Sequence, residues 1–387
     1  MMMSLITATI AISIDTVLPA FDEIETQFGL DPDNSSISLT ITVFLAAMGL
    51  STLVWGPISD RYGRKRTMYA SLVLFIGGAI VATLATSFST FLMGRALWGA
   101  AAAGPRTVSL AIIRDAYDGD IMSRVMSLTT AVFLIVPVLA PALGEGLLLI
   151  GSWRLTTMAA VFLGAIAALW LTRLRETLAP EDVLPLEFGR VGRAARAVLT
   201  NRRTVLFTIA TTLSYGAFFP WLGSSTQMIG EIYGRDDQFA LFFGVNAAFM
   251  ALVIVIVERL VKRYSTIPVL LAQSAILVFV AGAYVVWTAA GDDVVNFWGW
   301  FALVSVMTAL NAGTTPLMQT LAMEPMGKIA GTASSVTGAI VFIGGALLGA
   351  IIDHAISDTV TPFGVGFLIY SGLALAAMLF ARSGERL

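Results

Sequence analysis

The sequence predicts an all-α integral membrane protein with twelve transmembrane helices arranged in two pseudo-symmetric six-helix bundles. Hydrophobic residues make up 57% of the 387 residues, and charged residues make up only 12%. The charged share is about half that of a soluble domain, so too few polar side chains remain to cover a water-exposed surface. Two further observations support this prediction. A series of uncharged runs gives the number of helices, and a weak internal repeat indicates the two bundles.

The composition also argues against several classes of function. The formal net charge of −2 is too small to indicate nucleic acid as a partner. There is no cysteine and one histidine, His354, so neither a thiolate nor a histidine-built metal site is expected. No nucleophile-base constellation is present either. We therefore predict no enzyme activity, no catalytic residue, no cofactor and no metal.

The predicted spans follow from runs that can hold the roughly 20 apolar residues needed to cross a bilayer as a helix. Helices are expected because backbone groups in an apolar solvent have only each other as partners. Nine spans come from uncharged runs at 34–59, 67–94, 155–172, 204–230, 238–257, 264–291, 294–323, 329–352 and 359–381. Three more carry charges: a first span near 2–25 with Asp15, a fourth near 90–112 with Arg95 and Arg106, and a fifth near 126–150 with Glu145. The N-terminus lacks the basic region and cleavage site of a secretory signal, so we interpret it as the start of a retained span.

The positions of the basic residues predict the orientation. Of the 23 lysines and arginines, two lie inside spans and two in odd-to-even connections, which leaves 23 − 4 = 19 in even-to-odd connections or the C-terminal tail. By the positive-inside rule, those connections and both termini are expected in the cytoplasm.

An internal repeat indicates two halves. ERLVKR at 258–263 matches the pattern of DRYGRK at 60–65 with an offset of 258 − 60 = 198 residues, and Pro19 and Pro220 are 220 − 19 = 201 apart. We predict an N-terminal bundle at 1–172, a cytoplasmic linker at 173–203 and a C-terminal bundle at 204–387. The arginine-rich linker is either a short helix on the membrane surface or a solvated connection.

Four segments carry a resemblance to a known family. They are GPISDRYGRKR at 56–66, IDTVLPAF at 14–21, RALWGAAAAG at 95–104 and RETL at 175–178. The first resembles the loop between spans 2 and 3 of the major facilitator superfamily, with Ile58 in place of the usual leucine. The set is similar to the twelve-span drug:proton antiporters, nearest the bicyclomycin and chloramphenicol resistance group, and the resemblance covers the whole chain.

The resemblance implies a proton-coupled secondary transporter that exports small amphipathic compounds by alternating access. It further implies a multi-pass protein of the bacterial cytoplasmic (inner) membrane, with a small-molecule substrate, protons and the lipid bilayer as partners, no nucleic acid, and a monomeric state. Two alternatives stay open. One is a proton-coupled symporter or uniporter for a small organic anion, and the other, from a different class, is a membrane receptor or scaffold.

The loop at 56–66 has two interpretations. As a conformational latch, its acid would accept hydrogen bonds from a helix N-terminus and from arginines, while a glycine permits a tight turn. As an anchor, the loop would only set the topology. The residues concerned are Gly56, Asp60, Arg61, Gly63 and Arg64.

Asp15 and Glu145 are the candidate proton-coupling residues. An ionisable group near the middle of a span is costly and points to function. The alternative for Asp15 is a permanent structural ion pair. Glu145 stands where the resembling antiporters carry a glycine in a Gly/Pro-rich motif, so it either faces the cavity or lies solvated near the outer interface.

Span 4 contributes charged residues with different expected roles. Arg95 matches the family motif, so the resemblance implies that it organises a carboxylate network near the outer half of the cavity. Arg114 and Asp115 match the Arg-Asp pair that closes span 4 in that group, and we assign them to the charge network as well. Relatives usually have a small or apolar residue at Arg106. We expect this arginine either to pair with Asp15 or to contact an anionic part of the substrate.

The second half supplies the remaining pocket candidates. A mostly apolar pocket with a few polar groups suits an amphipathic molecule. With Arg106, the predicted substrate-binding residues are Tyr215, Phe219, Trp221, Asn246 and Asn311. Aromatic stripes in membrane helices usually pack on other helices or on lipid, so we expect about half of these residues to have no role in binding.

Overall fold

The computed structural model describes residues 2–30, 36–117, 119–183, 188–290 and 295–383, and all regular structure in these ranges is helical. The α-helices are α1 Met2–Asp15, α2 Phe21–Phe28, α3 Leu39–Tyr62, α4 Arg64–Thr83, α5 Phe88–Ala116, α6 Gly119–Leu148, α7 Arg154–Leu171, α8 Phe188–Thr200, α9 Arg202–Thr226, α10 Phe239–Tyr264, α11 Thr266–Ala290, α12 Phe297–Met323, α13 Ala330–Ala355 and α14 Thr361–Ser383. Part of the predicted linker, at 184–187, lies outside the described residues.

The helices confirm the multi-pass membrane class. In the described part of the chain, eleven helical segments are long and apolar enough to cross a membrane, and Ile135–Leu148 within α6 forms a shorter apolar stretch. The count of twelve spans and the division into two six-helix bundles remain predictions. The first span differs from the expected continuous run, because it consists of α1 and α2 joined by a 3₁₀ turn at Leu18–Ala20.

Most helices pack against neighbours from the same half of the sequence. In the first half, α5 packs between α3 and α4, and α1 packs on α6; in the second half, α9 contacts α12, α13 and α14. The halves meet mainly where α3 packs on α13 and α6 packs on α10, and α3 also contacts α9. Glycines allow the closest crossings, since a Cβ atom added at Gly49 of α3 would lie 2.6 Å from the Cβ of Phe342 of α13.

Side chains that cap N–H groups mark where several helices begin. The hydroxyl of Ser87 accepts a hydrogen bond from Thr90 N before α5. Asn201 accepts one from Thr204 N at the start of α9, and Asn296 accepts one from Trp298 N at the start of α12. Such caps satisfy N–H groups that have no partner within the helix. The cap at Asn201 separates α8 from α9.

The linker contains a helix that packs on the C-terminal half. Two small apolar residues of α8, Ala194 and Val198, are buried against Met326, Ala333 and Val336. This contact favours the helical interpretation of the linker over a fully solvated connection.

Two ends of the molecule differ in charge. We call the end that carries the Asp60–Arg66 turn the basic end. The opposite end is called the acidic end, because Asp22 and Glu231 lie there beside Ile37 and Ser38, which precede α3, and Asp236 lies near Asp22.

The turn between α3 and α4 has a counterpart between α10 and α11. Gly63 has φ +95° and ψ 153°, and Ser265 has φ +70° and ψ 164°. The two positions are 265 − 63 = 202 residues apart, close to the predicted repeat offset. Ser265 is the only non-glycine residue with positive φ in the described ranges. The repeat therefore extends to an uncommon backbone conformation.

Candidate functional site

A break in the first span lies directly after Asp15. The helix α1 ends at this residue, and Pro19, which cannot donate a backbone hydrogen bond, begins the short turn that leads into α2. Gly144 of α6 packs against the break: a Cβ atom there would lie 2.5 Å from the carbonyl oxygen of Thr16 and 3.1 Å from Pro19 Cγ. Only glycine lets α6 approach the interrupted backbone this closely.

The carboxylate of Asp15 is buried without a counter-charge. The residue is the midpoint of the span Met2–Phe28 and is 3% exposed. Among the described residues, no side chain or backbone group donates a hydrogen bond to its carboxylate, and no basic group forms an ion pair with it. A permanent structural ion pair is therefore absent from this conformation.

Arg95 is buried close to the same break. Its guanidinium donates from Nη1 to the carbonyl oxygen of Ser13 at 2.8 Å and lies 4.5 Å from the ring centre of Phe44 and 4.9 Å from that of Trp98. In the described residues it forms no ion pair with a carboxylate. The structure thus places Arg95 among helices α1, α3 and α5, where it tethers the last turn of α1.

Arg106 joins the two halves through an aromatic ring. Its Cζ atom lies 4.5 Å from the ring centre of Phe342 on α13, a distance typical of cation–π attraction. Tyr215 and Phe219 of α9 pack on the same phenylalanine, with ring centres 5.3 and 6.1 Å away. No described carboxylate lies within ion-pair distance of Arg106, so the expected pairing with Asp15 is not formed here.

The remaining pocket candidates lie inside the C-terminal half. The ring of Trp221 is 1% exposed and stacks on Phe243 at 5.7 Å. Asn246 donates to the hydroxyl of Thr308 at 2.9 Å, and Asn311 donates to the carbonyl oxygen of Ser214 at 3.1 Å. These contacts hold helices together and do not involve the Arg106 cluster.

Glu145 caps a helix of the opposite half. Its Oε1 atom accepts a hydrogen bond of 2.8 Å from the N–H of Ala240, in the first turn of α10. A carboxylate at a helix N-terminus is stabilised by the unpaired N–H groups and by the helix dipole. Glu145 thus bridges α6 and α10 at the acidic end, and its role in proton coupling remains a prediction.

Charged residues at the basic end form a cluster that we call the clamp. The guanidinium of Arg64 forms ion pairs with Asp60 and, at 2.8 Å, with Asp115 at the end of α5. Glu176, beyond α7, accepts hydrogen bonds from the backbone N–H groups of Arg64 at 2.8 Å and Lys65 at 3.2 Å. The clamp therefore ties α3, α4 and α5 of the N-terminal half to the start of the linker after α7.

The other residues of the predicted latch surround this clamp. Gly63 needs its positive φ for the turn, and a Cβ atom there would lie 2.5 Å from Glu176 Oε2. Gly56 faces α13, where an added Cβ would be 3.5 Å from Ser335 Oγ. Arg61 and Arg114 are exposed, and neither forms an ion pair within the described part of the chain.

Sequence reasoning missed several groups that the fold brings together. Asp353 of α13 is 2% exposed and accepts a hydrogen bond from Ser224. Carboxylate oxygens of Asp22, Glu25 and Glu231 approach within 4.8 Å of one another at the acidic end. A cluster of acids at a surface does not by itself define a metal site, and no metal is assigned to it. Phe342 had no distinguishing signal, since it is one phenylalanine in an apolar span.

The fold and these positions define a class of protein. An ionisable group at a broken helix midway along a span is typical of secondary transporters.

The chain belongs to the Major Facilitator Superfamily, whose sequence model matches residues 3–349. A bicyclomycin resistance protein homolog of Haemophilus influenzae is 28% identical over 355 residues, which cover 90% of this chain and 87% of that protein. The multidrug resistance protein MdtL of Salmonella paratyphi A is 32% identical over 223 residues, 56% of each chain. The crystal structure of a D-xylose-proton symporter superposes with a TM-score of 0.80 at 14% identity, covering 98% of this chain and 95% of that one. The protein is thus a multi-pass membrane transporter and not an enzyme.

Proposed function

We propose that this transporter exports small amphipathic compounds in exchange for protons, by alternating access between two six-helix bundles. It acts as a monomer in the bacterial cytoplasmic membrane, with the basic end and both termini in the cytoplasm. The observation that carries the proposal is Asp15, a carboxylate buried at a helix break without a counter-charge. The bicyclomycin and multidrug resistance names of relatives support the choice of substrate class.

The coupling follows from the cost of burying charge. An ionised carboxylate in the middle of a span is unfavourable, so Asp15 binds a proton when it is enclosed and releases it when water reaches it. Because the helix is broken next to Asp15, a local movement of the backbone there changes the exposure of its side chain to water. Arg95 fixes the last turn of α1 through its hydrogen bond to the carbonyl oxygen of Ser13, and so fixes the position of Asp15 relative to the break.

The substrate site is the Arg106 cluster. Phe342, Tyr215 and Phe219 offer aromatic surface, while the guanidinium of Arg106 offers a polar anchor. Because Arg106 and Phe342 belong to different halves, a molecule bound between them contacts both bundles. Relative motion of the bundles then changes its access from one side to the other.

The test uses purified protein in lipid vesicles with the membrane potential clamped at zero. A pH difference of one unit is worth about 1.4 kcal/mol per proton, so one proton per substrate supports about tenfold accumulation. We expect wild type to accumulate bicyclomycin or chloramphenicol at least tenfold, and Asp15→Asn to lower the accumulation ratio about tenfold, since it removes one coupled proton.

The matched control is Asp237→Asn, which makes the same chemical change at an exposed position of the acidic end. This variant should accumulate both compounds as wild type does. An accumulation ratio in Asp15→Asn equal to that of wild type would contradict the coupling role of Asp15, and absence of accumulation by wild type would contradict proton-driven export of these compounds.

A second function, uptake of a small organic anion by proton symport or uniport, is favoured by one observation. In the described residues Arg106 has no carboxylate partner, so its charge is available to an anion. Binding of matched neutral and anionic compounds, measured over about pH 5.5 to 8.5, separates the two functions. If anions are the substrates, Arg106→Ala should weaken the binding of anionic compounds at least tenfold more than the binding of neutral ones. If they are not, the substitution should weaken the binding of both kinds of compound equally.

A further inference from the structure

A second buried carboxyl group lies near the acidic end of the C-terminal half. Asp353, in the last turn of α13, is 2% exposed, and its Oδ1 atom accepts a hydrogen bond of 2.6 Å from Ser224 Oγ on α9. No basic side chain among the described residues forms an ion pair with it. Asp353 thus shares with Asp15 the combination of deep burial and no counter-charge.

The neighbouring helix is shaped to admit this carboxyl group. A Cβ atom at Gly223 would lie 2.9 Å from both carboxylate oxygens of Asp353, so any larger residue would push the group away. Gly223 and Ser224 together provide the space and the single hydrogen-bond donor. The arrangement parallels the first half, where Gly144 of α6 packs on the break beside Asp15.

The same two residues of α9 reach a cavity at the acidic end. Gly223 and Ser224 line this cavity together with Asp22, Glu25 and Glu231. Asp353 contacts this cavity through its hydrogen-bond partner Ser224, and the exposed acids Asp22 and Glu231 in its wall attract protons. Near Asp353 the charged groups of this end are the exposed His354 and, in the loops, Arg235, Asp236, Asp237 and Asp358. Farther along α13, Arg106 lies over Phe342, Tyr215 of α9 packs on the same ring, and Tyr370 donates a hydrogen bond to the carbonyl oxygen of Leu348.

The single hydrogen bond from Ser224 does not offset the free-energy cost of burying an ionised carboxylate at Asp353. A bound proton removes the charge and therefore this cost. The proton comes from hydronium in the cavity: an O–H bond forms at the carboxylate of Asp353, and water is left. When the acidic end opens and water surrounds the group, the O–H bond breaks and the proton returns to solvent.

We propose that Asp353 is a second proton-binding site of the transport cycle, located in the C-terminal half and reached from the acidic cavity. The proposal rests on the proposed proton-coupled function and deepens it, because each half then contributes one proton. The expected stoichiometry is two protons per substrate molecule.

The first experiment needs no substrate. Infrared difference spectra of the full chain in lipid are recorded during a titration over roughly pH 5 to 9. We expect the carbonyl stretch of one protonated carboxyl group to be lost in Asp353→Asn and kept in the control Asp358→Asn, an exposed acid of the same end. Ser224→Ala should keep the band but shift its midpoint, which shows that the site is still folded. Identical titrating bands in wild type and Asp353→Asn would overturn the proposal.

The second experiment measures stoichiometry in vesicles. With one pH unit and no membrane potential, two protons support about 100-fold accumulation and one proton about tenfold. Asp353→Asn should therefore lower the accumulation ratio about tenfold while Asp358→Asn leaves it unchanged, and an unchanged ratio in Asp353→Asn would overturn the proposal. If wild type does not accumulate the compound, the proposed function fails, and the infrared titration still decides whether Asp353 binds a proton.

Discussion

The turns at Gly63 and Ser265 follow nearly the same backbone path in different surroundings. The turn at Gly63 lies within the clamp formed by Asp60, Arg64, Asp115 and Glu176. The turn at Ser265 has basic neighbours too, but in the described residues none of them forms an ion pair, and Arg263 lies over the ring of Tyr264 at 5.2 Å. The repeat has therefore kept the turn in both halves and the clamp in one.

This difference separates two roles that the loop sequence combines. The backbone turn reverses the chain between two spans, which both halves need. The clamp joins the ends of several helices of the N-terminal half, so we expect that half to move as the more rigid body during transport. The clamp does not cross to the C-terminal half in this conformation, so its role as a latch between conformations remains a prediction.

The largest expected effect comes from Gly63→Ala. The substitution places a Cβ at φ +95° and 2.5 Å from Glu176 Oε2. It therefore strains the turn and displaces Glu176, which caps the N-terminus of α4 by accepting hydrogen bonds from its first N–H groups. We expect the free energy of unfolding to fall by about 2 to 4 kcal/mol. Denaturant unfolding in detergent measures it, and Gly77→Ala of α4, where the new Cβ has no heavy atom within 4 Å, is the control. Equal stability of the two variants would show that the turn is not strained by a side chain.

Glu176→Gln tests the cap without changing the turn. The amide keeps an acceptor oxygen but loses the negative charge at the N-terminus of α4, so we expect a loss of about 1 kcal/mol that becomes smaller at high salt. Unfolding is compared at low and high ionic strength. Glu181→Gln, a nearby exposed change, should have no effect. A salt-independent loss would contradict an electrostatic cap.

Asp60→Asn and Asp115→Asn test whether Arg64 couples the ends of α3 and α5. Both acids are partly exposed, so each single change should lower the free energy of unfolding by about 0.5 to 1 kcal/mol. Because both contact one guanidinium, the double variant should differ from the sum of the single changes by about 0.5 kcal/mol or more. Additive costs in unfolding measurements would mean that the two pairs are independent.

The smallest expected effect is a gain in stability. Ser265→Gly relieves the left-handed backbone at φ +70° but adds conformational freedom to the unfolded chain, so a gain of up to about 1 kcal/mol remains. Ser265→Ala, which keeps the Cβ, should bring no gain in the same unfolding measurement. A loss of stability in the glycine variant would indicate that the serine side chain stabilises this turn.

Local patterns predicted much of the fold. Uncharged runs located most of the spans, and Gly63 marked a turn. The break of the first span beside Pro19 was not predicted, because a continuous span was expected there. Contacts distant in sequence were not predictable. Glu176 caps a helix that begins 176 − 64 = 112 residues earlier, and Phe342 meets Arg106 only because α5 and α13 come together. Asp353 lies one residue beyond the predicted span at 329–352, where an acid suggests a solvated loop, and its burial depends on Gly223 of another helix.

The position of Glu176 also has a consequence for the order of events during synthesis. The residue follows α7, the last long helix of the first half, while its partners at the start of α4 leave the ribosome more than a hundred residues earlier. The first N–H groups of α4 therefore stay exposed to water, without this acceptor, until the first half of the chain has been inserted. We expect the closing of this contact to mark the completion of the first half before the second half is made.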